Sequence, residues 1–137
     1  MSVKDSVGYM SSRGMMFVRL YTGTDGQSHF EDLDLHTWPA DWSMTLETAE
    51  IRFRHRSPGH FWDWHNESRR QYAVILSGQI EAVVGDGSRR QFSPGDVVLA
   101  EDVTGQGHTT RIVSAVPLVY VTIPVAGSGI ADTRILT

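Results

Sequence analysis

The chain contains no cysteine among its 137 residues. That excludes a disulfide framework, a thiolate nucleophile, zinc-finger-type sites and iron–sulfur ligation. Long apolar runs are missing too. The longest, Ala115 to Ala126, is 12 residues long and interrupted by Pro117 and Pro124. Spanning a bilayer with a helix takes about 20 apolar residues, so this stretch reads as a buried strand and no membrane partner is expected. The residues from Met1 to Arg13 lack a hydrophobic signal core, which leaves a cytoplasmic location as the default expectation. Basic residues are in deficit, with a net charge of −4 and a pI near 5.8, which argues against a nucleic-acid surface. No stretch carries a convincing helical period.

What is present is a succession of short strands and turn signals. Candidate strands are Met16–Tyr21, Phe30–His36, Met44–His55, Phe61–Glu67, Gln71–Leu76, Gln79–Val84, Val97–Ala100, Thr109–Ser114 and Leu118–Ile123. Between them stand Gly23-Thr24-Asp25-Gly26, Ser57-Pro58-Gly59, Ser77-Gly78, Gly85-Asp86-Gly87 and Ser93-Pro94-Gly95-Asp96, whose residue types suit tight turns. This pattern predicts an all-β sandwich or barrel occupying residues 15–137 as one domain, behind a flexible arm at residues 1–14. Tyr72 to Leu76 is apolar on both faces, as expected of a strand packed inside and out. In Ile51-Arg52-Phe53-Arg54-His55-Arg56 the residues alternate, and the apolar face would carry His55 inward, where it is a candidate for proton transfer. Arg52, Arg54 and Arg56, with Arg69 and Arg70, could attract an anionic substrate, but a charge run in an acidic chain reads as a solvated face.

Six histidines take the place that cysteine leaves open. His65 and Glu67 are two apart and would share a strand face. Gln71 follows a polar run and could re-enter from the next strand, and Gly105-Gln106-Gly107-His108 sets a further histidine just before a strand. Two histidines and a carboxylate converging in this way resemble the facial arrangement that binds divalent iron. Trp62 and Trp64 would lie opposite His65 and need an apolar cover, either a second core layer or a partner subunit.

On these residues the sequence resembles the cupins. Gly59, His65, Glu67, Gln71 and Gly78 reproduce the spacing of the first cupin motif without a gap, with Glu67 in the place of its second histidine and Gln71 in the place of its glutamate. In the second motif Gly95 matches the opening glycine and His108 the last ligating histidine, while Val103 and Ile112 replace the usual proline and asparagine. The resemblance spans roughly Phe53 to Thr122. It implies a single antiparallel jelly-roll β-barrel, commonly a homodimer, with a divalent metal inside. The ligand set it implies is His65, Glu67, Gln71 and His108, a nitrogen and oxygen site suited to iron, manganese, nickel or zinc. If Glu67 instead faces solvent, two histidines and an amide remain, and metal would be held loosely. Two functions follow: a metal-dependent enzyme of oxygenase, isomerase, cyclase or lyase type acting on a small oxygenated molecule, or a non-catalytic small-ligand-binding or sensing module. No motif names a catalytic residue or a substrate.

Overall fold

The computed structural model describes residues 14–125 and the backbone of residues 134–136, so the expected N-terminal arm lies outside the described residues but for Gly14. The architecture is all-β. The strands are β1 (Phe17–Thr22), β2 (Ser28–Asp32), β3 (Ser43–Thr45), β4 (Arg52–Arg56), β5 (Phe61–His65), β6 (Gln71–Ser77), β7 (Ile80–Val83), β8 (Arg89–Phe92), β9 (Val97–Ala100), β10 (His108–Ile112), β11 (Leu118–Pro124) and β12 (Arg134–Leu136). They form a six-stranded sheet in the order β2-β1-β9-β6-β11-β4, a four-stranded sheet in the order β5-β10-β7-β8, and a β12-β3 ribbon. Every pairing is antiparallel except β1 with β9, which is parallel. No helix among the described residues is long and apolar enough to cross a membrane.

The two larger sheets pack together through an apolar face of each. Val18, Leu20, Ile75, Val98 and Leu118 from the first meet Ala82, Phe92 and Ile112 from the second in one buried cluster. The other face of the six-stranded sheet holds Phe17, Tyr72 and Leu99, covered by Leu33, Leu35, Trp38, Met44 and Leu46. That cover explains why β6 is apolar on both sides: Ile75 looks into the barrel while Tyr72 packs under the outer strap. Phe17 meets Trp38 and Tyr72 with ring centroids 5.8 Å apart, in tilted and edge-on geometries that favour aromatic pairs.

Three expected elements differ. Met44–His55 is not one strand, since residues 46–51 leave the sheet and the two ends join different sheets. Phe30–His36 stops at Asp32, and His36 falls in a single 3-10 turn, Leu35–Thr37, that starts the strap. β8 escapes a hydrophobic reading because Arg89-Arg90-Gln91 is polar on an edge strand, and only Phe92 anchors it inside.

The largest reversal concerns β4. Ile51 and Phe53 are 56 % and 73 % exposed, and His55 is exposed beside them, while Arg54 is half-buried and lines the interior. His55 is therefore no candidate for proton transfer inside the barrel. The apolar face of a strand marks the interior only where that interior is solid core. Here β4 borders a cavity, and a cavity accepts a charged side chain.

Candidate metal centre

The barrel encloses a cavity of about 310 Å³, apolar along Leu20, Ile75, Phe92 and Leu118, and polar where His65, Glu67, Gln71 and His108 gather. His65 closes β5 and His108 opens β10. The two are register partners, and their rings stand 4.5 Å apart. Glu67 does not lie on a strand as expected. It sits two residues beyond β5, in a loop, with its N–H donated to the Asp102 carbonyl at 3.0 Å. Asn66 fastens the same loop by donating to the carbonyls of Thr104 and Gly105 at 2.9 and 2.7 Å. These bonds turn Glu67 inward rather than toward solvent.

One ligand atom from each of His65, Glu67 and His108 lies within 4.8 Å of the others. A Glu67 Oε2 lies 3.4 Å from His108 Nε2 and 3.9 Å from His65 Nε2. Ligands about 2.1 Å from one ion stand roughly 3–3.5 Å apart, so small side-chain rotations close this set around a cation. The donor chemistry fits as well. His65 Nδ1 lies 2.7 Å from the Asp63 carbonyl and His108 Nδ1 lies 2.5 Å from Asp102 Oδ2. Each Nδ1–H is thereby held by an acceptor, and each Nε2 lone pair is left for a metal, the arrangement usual behind ligating histidines. Gln71 stands beside this group rather than within it: its amide donates to Glu67 Oε1 at 3.1 Å.

Asp102 is the functional residue that sequence reasoning missed. Its carboxylate is 0 % exposed, and Oδ2 accepts from both His108 and the Ser28 hydroxyl, at 2.6 Å for the latter, while Oδ1 has no hydrogen-bond partner among the described residues. A fully buried, half-satisfied carboxylate needs compensating positive charge. The signal was slight: two acids, Glu101 and Asp102, directly after an apolar strand.

The charges of the group follow from these contacts. Burial alone would push the His108 imidazole toward its neutral form. The hydrogen bonds and charges of Asp102 and Glu67 outweigh that and hold it up at about 9, above the ordinary 6.5. For Glu67, burial works against ionisation, but His108, Gln71 and His65 together hold its carboxyl below the usual value. Without metal, a proton on His108 thus takes the cation's place. A folded pKa raised above the unfolded one gives stability that is complete below 6.5 and is lost as the pH rises through 9. Metal-free protein should therefore lose stability to urea between these values. Metal uptake should release a proton and tighten over the same range, which calorimetry in buffers of different ionisation enthalpy will measure.

The bulge in β5 decides which tryptophan belongs to the site. His108 pairs with His65 but Thr110 pairs with Trp62, so β5 carries one residue more than its partner over this interval. The extra residue lets both Trp62 and His65 face the cavity despite their odd spacing, with Asp63 Oδ1 accepting the Trp64 N–H at 2.8 Å. Trp62 is thus inside, contrary to strict alternation, and Trp64 is 45 % exposed outside. An interface on that face would have Trp64 to use and not Trp62. His60 stacks edge-on against Trp62, while His29 pairs with Asp25; neither approaches the cavity.

A two-sheet β-barrel with a His-Glu-His group in its cavity defines a small barrel protein whose gathered side chains could hold a metal ion. A profile of the EutQ-like cupin domain matches residues 45–116, more than half of the chain, and the chain belongs to that cupin family. No curated protein matches it. Similar solved structures include a cupin domain from Bordetella pertussis Tohama I, at 19 % identity over 63 % of this chain and 94 % of that one, TM-score 0.45. Another is a Cupin 2 conserved barrel domain protein from Salinispora arenicola CNS-205, at 20 % identity over 72 % and 89 %, TM-score 0.44. A third, with a double-stranded β-helix domain, comes from Klebsiella pneumoniae, at 18 % identity over 76 % and 93 %, TM-score 0.45.

Proposed function

We propose that this cupin is a metal-dependent enzyme that holds a divalent ion, one of iron, manganese, nickel or zinc, on His65, Glu67 and His108, and acts on a small oxygenated organic molecule. Gln71 braces Glu67 and offers a neutral fourth donor. The observation that carries this reading is the pair of histidines whose Nδ1 atoms are each held by an oxygen acceptor while their Nε2 atoms turn toward one carboxylate. When bound, such an ion supplies Lewis acidity toward a carbonyl or hydroxyl oxygen, and redox chemistry if it is iron.

The chain's own residues supply the rest. Asp102 fixes the His108 ring and balances its charge. Trp62, Ile75 and Phe92 wall the cavity with apolar surface that keeps water from the reacting molecule. Tyr120 lines the same cavity and brings a phenolic O–H that can hold or deliver a proton.

Elemental analysis of protein purified without a metal-binding tag tests the reading, with close to one divalent ion per chain expected. Glu67→Gln and Glu67→Ala should each lower metal affinity by about 100-fold or more, since even the hydrogen-bond partners of ligands are worth 10–100-fold. Unchanged affinity in both variants would remove Glu67 from the ligand set. Wild-type protein that neither carries nor takes up metal would leave the cavity as that of a non-catalytic small-ligand-binding module.

A further inference from the structure

Of the nine arginines whose side chains are described, six pair with a carboxylate: Arg19, Arg52, Arg69, Arg70, Arg89 and Arg90. Arg56 donates to the His55 carbonyl and Arg111 lies over the Phe61 ring, both away from the cavity lining. Arg54 is half-buried and lines the cavity, yet among the described residues no acid pairs with it. Its one hydrogen bond among the described residues runs from Nε to the Thr122 hydroxyl, at 3.4 Å. A partly desolvated guanidinium without a counter-charge is costly, and its planar fork of donors matches a carboxylate. The placement also suits a ligand that reaches the metal group. Thr122 is the register partner of Ala73, which lies two residues along β6 from Gln71 on the same inner face. Two strand residues span roughly 7 Å, the length of a short carbon chain.

We infer that Arg54 is a specificity-determining residue for an anionic substrate: the cavity takes a small carboxylate whose charged end sits on the Arg54 guanidinium while its other oxygen function faces His65, Glu67 and His108. This deepens the proposed function and rests on it for the second contact only. Charge balance agrees. A divalent ion with Arg54 outweighs Glu67 and Asp102 by one positive charge when both histidines are neutral ligands, so an anion completes the site.

Succinate and its neutral counterpart succinamide serve as probes, titrated by calorimetry into zinc-loaded and metal-free protein. Wild type should bind succinate at least tenfold more tightly than succinamide. Arg54→Gln should abolish that preference with zinc stoichiometry unchanged, and Arg54→Lys should keep part of it. Because the lysine variant retains the charge, it also guards against a glutamine variant that fails to fold. Equal binding of the two probes by wild type, no succinate binding in either form, or an undiminished preference in folded Arg54→Gln overturns the inference. A protein that takes up no zinc but still shows an Arg54-dependent preference for succinate overturns the metal reading and leaves the anion site standing. Loss of preference with zinc retained supports both.

Discussion

Alanine at His65 and alanine at His108 are each expected to abolish tight divalent-metal binding, but only the second should also destabilise the fold. Both remove an Nε2 donor from a set of three, and two ligands cannot hold an ion against water at ordinary concentrations. A loss of at least about 100-fold is expected, beyond the 10–100-fold that outer partners carry. The two sites differ in what they leave behind. His65 is about one-third exposed and its Nδ1 partner is the Asp63 carbonyl, close to solvent, so its removal strands little. His108 is 3 % exposed and is the only cation within reach of the buried Asp102 carboxylate among the described residues. Breaking a buried pair by deleting one partner costs on the order of 3–5 kcal/mol, a large share of a small domain's stability. Metal content by mass spectrometry and urea midpoints for both variants check this. Equal destabilisation by the two substitutions would mean that Asp102 is compensated elsewhere.

Gly107→Ala is expected to be the most damaging glycine-to-alanine change among the described residues. Gly107 has φ of +79°, and a Cβ there would collide with the backbone carbonyl of His65 and the N–H of Asn66, neither of which can rotate away. Gly87 offers the control. It too has a positive φ, +87°, but nothing lies within 4 Å of its would-be Cβ. Gly87→Ala should therefore cost only the left-handed strain of about 1–2 kcal/mol. Gly107→Ala adds the separation of β5 from β10 at the residues that carry His65 and His108, for a total of roughly 4 kcal/mol or more. It should weaken metal binding in parallel. Indistinguishable urea midpoints for the two variants would show that the close approach at Gly107 relaxes freely.

Much of this site is legible in the sequence. The motif spacing points to His65, Glu67 and His108, although Glu67 reaches the group from a loop and not by strand alternation, and the Val97–Ala100 strand is marked by four apolar residues between a turn and two acids. What stayed hidden has identifiable physical causes. The extra residue in β5 shifts the face of Trp62 without altering local composition, so period-2 reasoning put it outside. Arg54 read as a solvated charge because the pattern of β4 does not reveal that its interior neighbour is a cavity rather than packed core. Asp102 is defined by contacts with Ser28 and His108, 74 and 6 residues away, and nothing local distinguishes it from a surface aspartate.

Asp102 holds two members of the His-Glu-His group at once, through different parts of itself. Its side chain holds the His108 ring, and its main-chain carbonyl receives the N–H of Glu67. A displacement of the segment that bears it would therefore act on both side chains through the same residue. The Glu67 carboxylate and the His108 imidazole are two teeth on one stalk, and the His65 ring stands against them from the neighbouring strand.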